Sequence, residues 1–449
     1  MQLVAIGAQD MYLSYNPEIT FFDTAHKTYT NFALESMEQN FSAGAVGWGQ
    51  QTSTNLARTG DLVNTMYIQL ELPKLVKSDF ITAGMTGTEW DEFDSVAWTN
   101  CVGHAAINYV QLTIGGVPID KHYGRWLHIW DELTCKAEHF DGVSQMVGRH
   151  PDEDDLKENG KKARTLYVPL KFWFNRNVGA ALPLVALQFH DVSIKIELNN
   201  LNALVVFLDT GGFRCTGAAV KGHKVDNNVA PLSKCTLYVD YIYLDNEERQ
   251  RFARDDHMYL VEQLQFNGQE SVNDWGAASE KSIVLNFNHP TKEILWTAQL
   301  SDNYKEGPAY NDWFNYSSAG PGRADADGYD LLGTAQLRLN SHDRFSPARQ
   351  ASYFRLVQPA NHHTRIPTKN IYCYSFALNP EEYQPSGTCN FSRIDNARLM
   401  LTSAKTEKLQ EQAPGGGPWS EMQGRYEVWA WSLNQLKVSG GLGGLQFAN

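Results

Sequence analysis

The sequence predicts an all-β protein of two consecutive antiparallel sandwich domains with few short helices. Short runs of alternating apolar and polar residues recur along the whole chain, which is typical of strands that bury one face. Asn, Gly, Pro and Asp separate these runs, as expected for antiparallel sandwiches rather than for alternating strands and helices. The 449 residues are also too many for one ordinary hydrophobic core, which indicates two domains.

The predicted strands are distributed over both halves of the chain. In the first half, alternating or continuous apolar runs predict strands at residues 66–72, 110–114, 166–174, 192–198 and 236–244. In the second half, the same patterns predict strands near residues 259–266, 283–287, 337–339, 372–378 and 426–431. The halves share this rhythm of short strands but no repeated sequence.

Helical patterns are few. The longest predicted helix runs from Tyr123 to Glu138, because four large apolar residues recur there at helical spacing: Trp126, Ile129, Trp130 and Leu133. The only other clear helical signal is a shorter one near the middle of the chain. The sequence therefore predicts that helices add to the sandwiches rather than form a layer of their own.

A second helix is predicted from about Asn246, between two predicted strands. Asp245 is placed as its N-cap, and Glu248 completes a capping box. Three arginines lie towards its end, where the helix dipole favours cations: Arg249, Arg251 and Arg254. The pattern fits either a surface helix within one large domain or a linker, and a linker helix would hold two domains at a fixed angle.

Composition argues against nucleic-acid binding by the body of the protein. The chain has 38 basic and 51 acidic residues, for a net charge of −13, whereas binding to phosphates requires basic surface. The N-terminus lacks the cationic start and apolar core of a secretory signal, and no apolar run approaches the roughly 18 residues of a membrane span. We expect a protein made in a cytosol, with no direct nucleic-acid contact and no membrane-spanning segment.

The sequence lacks the common catalytic, cofactor and metal motifs. Gly217–Lys224 resembles a phosphate-binding loop, but His223 stands where that loop requires lysine. The adjacent His362 and His363 would point in opposite directions on an extended chain, and no third ligand follows at metal-site spacing. An exposed loop is the favoured interpretation of this pair, and we predict no catalytic residues, no metal and no cofactor.

Two long polar segments, residues 77–100 and 301–335, are predicted to be loops at the ends of the sheets, suited to recognition or display. Asn-x-Ser/Thr sequons occur at Asn40, Asn315 and Asn390. Without a secretory signal, these sequons are expected to arise by chance. Asn315 lies in the second loop and is the candidate site of glycan attachment.

Several blocks of the chain, in order, resemble the major capsid proteins of nucleocytoplasmic large DNA viruses, in the form found in viruses of algae and amoebae. The resemblance spans nearly the whole sequence, and its most specific block is Ile371–Glu381. The other matching blocks are Gly7–Leu13, Asn16–Phe22, Thr30–Ala33, Arg58–Leu62, Tyr243–Ala253, Tyr259–Leu264, Gln384–Thr388 and Asn390–Asn396. The two long loops match no motif of the family.

This resemblance implies two consecutive eight-stranded jelly rolls, with an N-terminal arm at 1–23, domains at 24–244 and 257–449, and a linker helix at 245–256. It implies a structural, non-enzymatic subunit whose homotrimers form pseudo-hexagonal capsomers of an icosahedral virion capsid assembled in the host cytoplasm. The implied partners are neighbouring capsomers, minor capsid and penton proteins, and surface glycans. The alternative is a carbohydrate-binding or glycan-processing jelly roll, since lectins and cupins share that architecture.

Overall fold

The computed structural model describes residues 7–24, 26–42, 46–80, 93–150, 156–215, 220, 222–273, 275, 280–318, 329–404 and 423–447. Every pairing between described strands joins two strands on the same side of residue 245. The strands before and after this residue therefore form separate sheets. This separation agrees with two domains that meet near residue 245. The exact bounds of the arm (1–23), the domains (24–244 and 257–449) and the linker (245–256) stay a prediction.

The first domain is a sandwich of two four-stranded antiparallel sheets. Its strands are β1 (Phe32–Asn40), β2 (Gln51–Asn55), β3 (Leu62–Leu72), β4 (Ser95–Trp98), β5 (Ile107–Ile114), β6 (Val117–Tyr123), β7 (Arg164–Pro169), β8 (Leu182–Pro183), β9 (Val192–Leu198), β10 (Val205–Leu208) and β11 (Lys234–Leu244). One sheet has the order β1-β11-β3-β7 and the other β2-β9-β5-β6, while β8 pairs with β3 and β4 with β10. Eight main strands in two facing sheets form the expected jelly roll.

The second domain repeats this arrangement. Its strands are β12 (His257–Val272), β13 (Glu280–Val284), β14 (Pro290–Leu300), β15 (Leu332–Leu339), β16 (His342–Asp343), β17 (Arg349–Gln350), β18 (Ile371–Ser375), β19 (Cys389–Asn390), β20 (Ala397–Ser403), β21 (Gly424–Ser439) and β22 (Leu442–Leu445). The main sheets have the orders β12-β21-β14-β18 and β13-β20-β15-β16. The prediction of two antiparallel jelly rolls is confirmed.

The described helices are short and lie between strands, as predicted. The α-helices are α1 (Met11–Ser14), α2 (Val102–Ala106), α3 (Gly124–Thr134), α4 (Ala137–Val147), α5 (Trp173–Arg176), α6 (Asn246–Arg254), α7 (Ser301–Tyr304) and α8 (Gln358–His362). Single turns of 3₁₀-helix occur at Lys77–Phe80, Val178–Ala180, Leu201–Ala203 and Phe391–Arg393, and a π-helical turn at Tyr353–Val357 precedes α8.

Several sequence predictions of element bounds were wrong, and two of these errors involve helices. The helix predicted from Tyr123 to Glu138 is two helices, because Cys135 adopts an extended conformation between α3 and α4. The strand predicted at 166–174 ends at Pro169, and the chain then turns into α5. The backbone N–H of Phe172 donates to the side chain of Asn175 (3.2 Å), which caps this helical turn. Apolar periodicity alone did not reveal this local cap.

The linker helix α6 was predicted at the correct position. Its N-cap Asp245 accepts a hydrogen bond from the backbone N–H of Asn246 (2.8 Å), and no capping box with Glu248 forms among the described residues. Phe252 packs against an apolar cluster of the first domain, and Arg249 pairs with Asp61 of that domain (2.8 Å). No residue of α6 is buried, so the helix provides little of the contact between the domains.

The two domains are held together through the sheet β12-β21-β14-β18, which is buried on both faces. Along β14 and β21, alternate side chains enter different cores. Trp296 and Val428 enter the core of the second domain, whereas Leu295, Trp429 and Trp431 join the core that continues into the first. Because both faces of the sheet are covered, almost every residue of β14 and most residues of β21 are buried.

Helix α3 supplies the first domain's side of this interface. The rings of Trp126 and Trp130 each lie 5.0 Å from the ring of Trp431, centroid to centroid, and 5.3 Å from each other. All three indoles are almost fully buried. The helical spacing that predicted α3 therefore identified a face that packs between the domains rather than within one of them.

A cluster of buried charges lies beside these three tryptophans. Arg176, at the end of α5, forms an ion pair with Glu262 of β12, and Glu262 also pairs with Lys292 of β14. The ammonium of Lys292 donates in addition to the carbonyl oxygens of Pro380 (3.1 Å) and Glu382 (2.6 Å). Glu262 and Lys292 are fully buried. The guanidinium carbon of Arg176 lies 4.9 Å from the rings of both Trp130 and Trp431, so this cation connects the two domains.

His363, directly after α8, carries a second buried charge, and it pairs with Glu293 of β14. Its Nε2 lies 2.9 Å from Glu293 and its Nδ1 2.9 Å from Glu381, so both ring nitrogens face carboxylates. Burial alone would lower the pKa of His363, but the charge of Glu293 and hydrogen bonds with Cys373, Glu293 and Glu381 raise that pKa well above its usual value. The imidazole is therefore held as a cation.

Removal of the interdomain cation should destabilise the protein strongly. Arg176→Gln leaves Glu262 with one cationic partner fewer in a buried site, and we expect a loss of about 3–5 kcal/mol in the free energy of unfolding. Urea denaturation followed by tryptophan fluorescence measures this loss. Arg251→Gln is the matched control, because the Arg251 side chain is 80% exposed, and it should leave stability unchanged. Equal losses of unfolding free energy in both variants would show that the buried cluster does not contribute specifically to stability.

The raised pKa of His363 makes stability sensitive to alkaline pH. Its contribution should be complete below the unfolded pKa of about 6.5 and should be lost as the pH rises through the folded pKa. We expect the difference in unfolding free energy between the native protein and His363→Gln to be constant in mild acid and to shrink in alkali. The exposed His139, changed to Gln, should leave the pH profile as it is. A difference that grew with pH would contradict the protonated assignment.

Candidate assembly surface

The N-terminal arm exposes an unusual amount of apolar surface. Every described residue from 7 to 36 is exposed, and the hydrogen bonds of residues 7–31 are local. Tyr12 and Leu13 are each 92% exposed, and Phe22 is 99% exposed. The other large apolar residues of this segment are Met11, Tyr15, Ile19, Phe21 and Tyr29. Contiguous apolar surface of this kind marks a binding surface.

The arm leads into β1, which lies at the edge of its sheet. Phe32 is 50% exposed and Leu34 is 60% exposed, so the apolar surface continues onto this strand. Because β1 pairs only with β11 among the described strands, its other edge offers unpaired backbone groups. An edge strand of this kind can pair with another chain.

The sheet next to β1 carries an ordered group of tyrosines. The rings of Tyr67 and Tyr238 are stacked at 5.4 Å, and Tyr167 packs edge-on against Tyr67 at 6.0 Å. Tyr238 donates to Glu38 of β1 (3.0 Å), which also pairs with Lys234 (2.7 Å). The hydrogen bonds from Lys234 and Tyr238 lower the pKa of the Glu38 carboxyl group. Aromatic rings with a polar end are the residues that protein interfaces favour.

We define the assembly surface as residues 7–31, which comprise the described part of the proposed arm and the segment that follows it up to β1, the exposed side chains of Phe32 and Leu34, and the three tyrosines 67, 167 and 238. In the sequence, the arm is marked only by its position and by the family resemblance. Its function could have been suspected from the aromatic residues of positions 12–32, because they show neither strand nor helix periodicity. A segment without such periodicity does not present one apolar face to the core, so its apolar side chains remain exposed.

The structure places Asn315 in a buried site. Asn315 is 2% exposed, and its side-chain nitrogen donates to Asp312 (3.0 Å). Its side-chain oxygen accepts from the backbone N–H (3.0 Å) and the hydroxyl (2.8 Å) of Ser317. Glycan attachment at Asn315 stays a prediction, and this environment argues against it because a sugar on the nitrogen has no room. The sequons at Asn40 and Asn390 lie at exposed residues.

The loop predicted at 301–335 is only partly a surface feature. Residues 319–328 lie outside the described residues, but residues 301–318 pack against the first domain. Asn311 donates to the carbonyl oxygens of Asn202 and Val205 (2.7 Å each), and Trp313 donates to that of Ala203 (2.7 Å). In the other predicted loop, 81–92 lie outside the described residues, whereas Ser95–Trp98 forms β4. The polar composition of both segments had predicted exposed loops, whereas parts of them are buried against the first domain or form a strand.

The prediction that His362 and His363 lie in an exposed loop was wrong. The Nδ1–H of His362 donates to the carbonyl oxygen of Leu378 (2.9 Å), and the His363 side chain is fully buried between two carboxylates. Within the described ranges, no three His, Cys, Asp or Glu side chains are grouped as a metal site requires. Part of the predicted phosphate-loop-like segment, residues 217–219 and 221, lies outside the described residues. No described helix has the length and apolarity needed to cross a bilayer.

Comparison with known proteins agrees with this architecture. The family model described as "Major capsid protein N-terminus" matches residues 20–245, and "Large eukaryotic DNA virus major capsid protein" matches residues 248–444. The major capsid protein of Pyramimonas orientalis virus is 40% identical, over 100% of this chain and 99% of that protein. The major capsid protein of Paramecium bursaria Chlorella virus 1 is 36% identical, with the same coverage.

Solved structures show the same fold. A quasi-atomic model of the PBCV-1 virus capsid superposes with a TM-score of 0.73 at 31% identity and covers 96% of this chain and 100% of the other. The Faustovirus major capsid protein superposes with a TM-score of 0.71 at 13% identity, over 97% and 94% of the two chains, and supports the fold alone. The resemblance seen in the sequence is confirmed. The chain belongs to the family of large eukaryotic DNA virus major capsid proteins, and it is a structural component of the viral capsid rather than an enzyme.

Proposed function

We propose that three copies of this chain form a pseudo-hexagonal capsomer and that these capsomers tile an icosahedral shell. Each chain contains two jelly rolls of the same sheet order, so a threefold arrangement presents six similar domains around its axis. A capsomer with six similar sides can pack in a hexagonal layer. The buried contact between the two domains suits this function, because it keeps them in one orientation.

The observation that carries this proposal is the assembly surface. A subunit that acted alone would expose Tyr12, Leu13 and Phe22 almost completely to water, at a cost of roughly 25 cal/mol per Å² of apolar surface. Assembly removes this cost when a neighbouring chain covers the arm. We infer that the arm and the edge of β1 contact neighbouring chains, either within the trimer or between capsomers.

The remaining partners follow from the same function. Minor capsid and penton proteins would contact the capsomers where the hexagonal layer closes into a shell. The net charge of −13 would keep the free subunit soluble in the host cytoplasm, where we propose that it is synthesised and assembled. Surface glycans would be attached to exposed asparagines rather than to a buried residue such as Asn315.

Sedimentation of the purified protein and electron microscopy of particles test the trimer directly. We expect a species with the mass of three chains, and a lattice density into which this fold fits as pseudo-hexagonal trimers. A protein that stays monomeric at micromolar concentration would contradict the proposed trimer. A lattice built from another symmetry would contradict the proposed capsomer.

The arm can be tested separately from the fold. Replacement of both Phe21 and Phe22 by serine should leave the unfolding free energy of the isolated chain unchanged, because both rings are at least 90% exposed. The same change should weaken assembly at least roughly 100-fold, since each phenylalanine buried by a neighbour contributes about 1.5–3 kcal/mol.

The matched control for the arm variant is Leu378→Ser, at an apolar residue that is 71% exposed outside the arm. This control should assemble as the native chain does. Light scattering during assembly measures both variants. Normal assembly of the double serine variant would show that the arm is not part of the contact surface.

A further inference from the structure

A cleft of about 310 Å³ lies between the two domains, and none of its lining residues belongs to the assembly surface. Both domains contribute to its walls, so it exists only because the domains are packed together. The polar and aromatic residues that matter for its chemistry are Arg125 and Asn108 of the first domain and Gln269, Tyr304, Glu306 and Arg425 of the second. Its volume is at the small end of the range for sites that hold small molecules.

Two arginines share one carboxylate at the wall of this cleft. Arg125 of α3 forms an ion pair with Glu427 of β21, with its Nη2 2.9 Å from the Oε1 atom, and the Nε of Arg425 lies 3.5 Å from the same carboxylate oxygen. Arg425 also donates to the side-chain oxygen of Gln299 (3.0 Å), and its guanidinium carbon lies 3.8 Å from the centroid of the Tyr304 ring. The trio of Arg125, Arg425 and Glu427 therefore carries one excess positive charge.

This excess positive charge is largely shielded from water. Arg425 is 5% exposed and Glu427 is 2% exposed, so water provides little solvation. The Nε of Arg125 is buried and has no hydrogen-bond acceptor within the described part of the chain, and the Nε of Arg425, 3.5 Å from Glu427, is buried and forms no hydrogen bond of good geometry there. Burial lowers the pKa of Arg425 to about 10, against the opposing charge of Glu427. A buried cation without full compensation is costly unless an anion approaches it.

We propose that this interdomain cleft binds a small anion with a single phosphate or carboxylate group, held by Arg125 and Arg425. A guanidinium pair is the arrangement that proteins favour for these groups. Glu306, an exposed residue of the same cleft, repels a second negative group and so selects ligands with only one. The small volume excludes a polymer.

Binding at this position would stabilise the contact between the domains. The ligand would contact α3 of the first domain and β21 of the second, and a ligand that binds only the folded state raises stability according to its concentration and affinity. Capsomer stability would thereby depend on the concentration of a small anion, in addition to the contacts between subunits.

The probes are inorganic phosphate and acetate, titrated into the purified full-length protein at constant ionic strength and followed by calorimetry. We expect saturable binding of at least one probe, and the tighter of the two identifies the group that the site prefers. Arg425→Gln should weaken this binding at least about 10-fold, because a charge-assisted hydrogen bond is lost. Glu306→Gln should tighten it severalfold, since a repelling charge is removed.

The control is Glu247→Gln, which makes the same charge change at an exposed residue of the linker helix and should leave affinity unchanged. If Arg425→Gln does not fold, Gln269→Glu replaces it, because this exposed residue of the cleft would add a repelling charge and weaken binding. No saturation below about 10 mM would overturn the proposal. So would equal affinities in all variants, or an electron-microscopy map of the capsomer with an acidic side chain of a neighbouring chain in the cleft.

Discussion

The double burial of the sheet β12-β21-β14-β18 determines how the two jelly rolls are arranged. Jelly rolls normally bury one face of each sheet, but this sheet has its own core on one side and the first domain on the other. Trp431 packs against both Trp126 and Trp130, at 5.0 Å from each, so the indoles of both domains form one cluster. Separation of the domains would expose these rings to water, which makes the pair of sandwiches one rigid unit.

The charges buried at this interface make the orientation specific. Arg176, Glu262 and Lys292 are stable in an apolar environment only while all of them are in contact, because each loses its water. Apolar packing tolerates small shifts, whereas an ion pair with its hydrogen bonds does not. The linker helix α6 has no buried residue, so it determines the orientation of the two domains less than its position in the sequence had indicated.

The rigid interior contrasts with the arm, and this contrast is the physical basis of the proposed function. The arm was expected from the family resemblance, and its lack of periodicity hinted at its role, but the degree of its exposure depends on what the rest of the chain leaves uncovered. Asn315 shows the opposite error. Its loop is polar in sequence, yet contacts of Asn311 and Trp313 with the first domain draw it into the interior. His363 was likewise buried by carboxylates from distant positions.

The sequence by itself determined the elements that depend on local periodicity and capping. Alternation predicted β9 at its observed bounds, helical spacing located α3, and Asp245 marked the start of α6. The family resemblance added the two jelly rolls. Only the tertiary structure decided that α3 packs between the domains, that β14 and β21 are buried on both faces, and that Arg125 and Arg425 share Glu427. These features join residues up to three hundred positions apart, and periodicity within one segment contains no information about the partner that covers it.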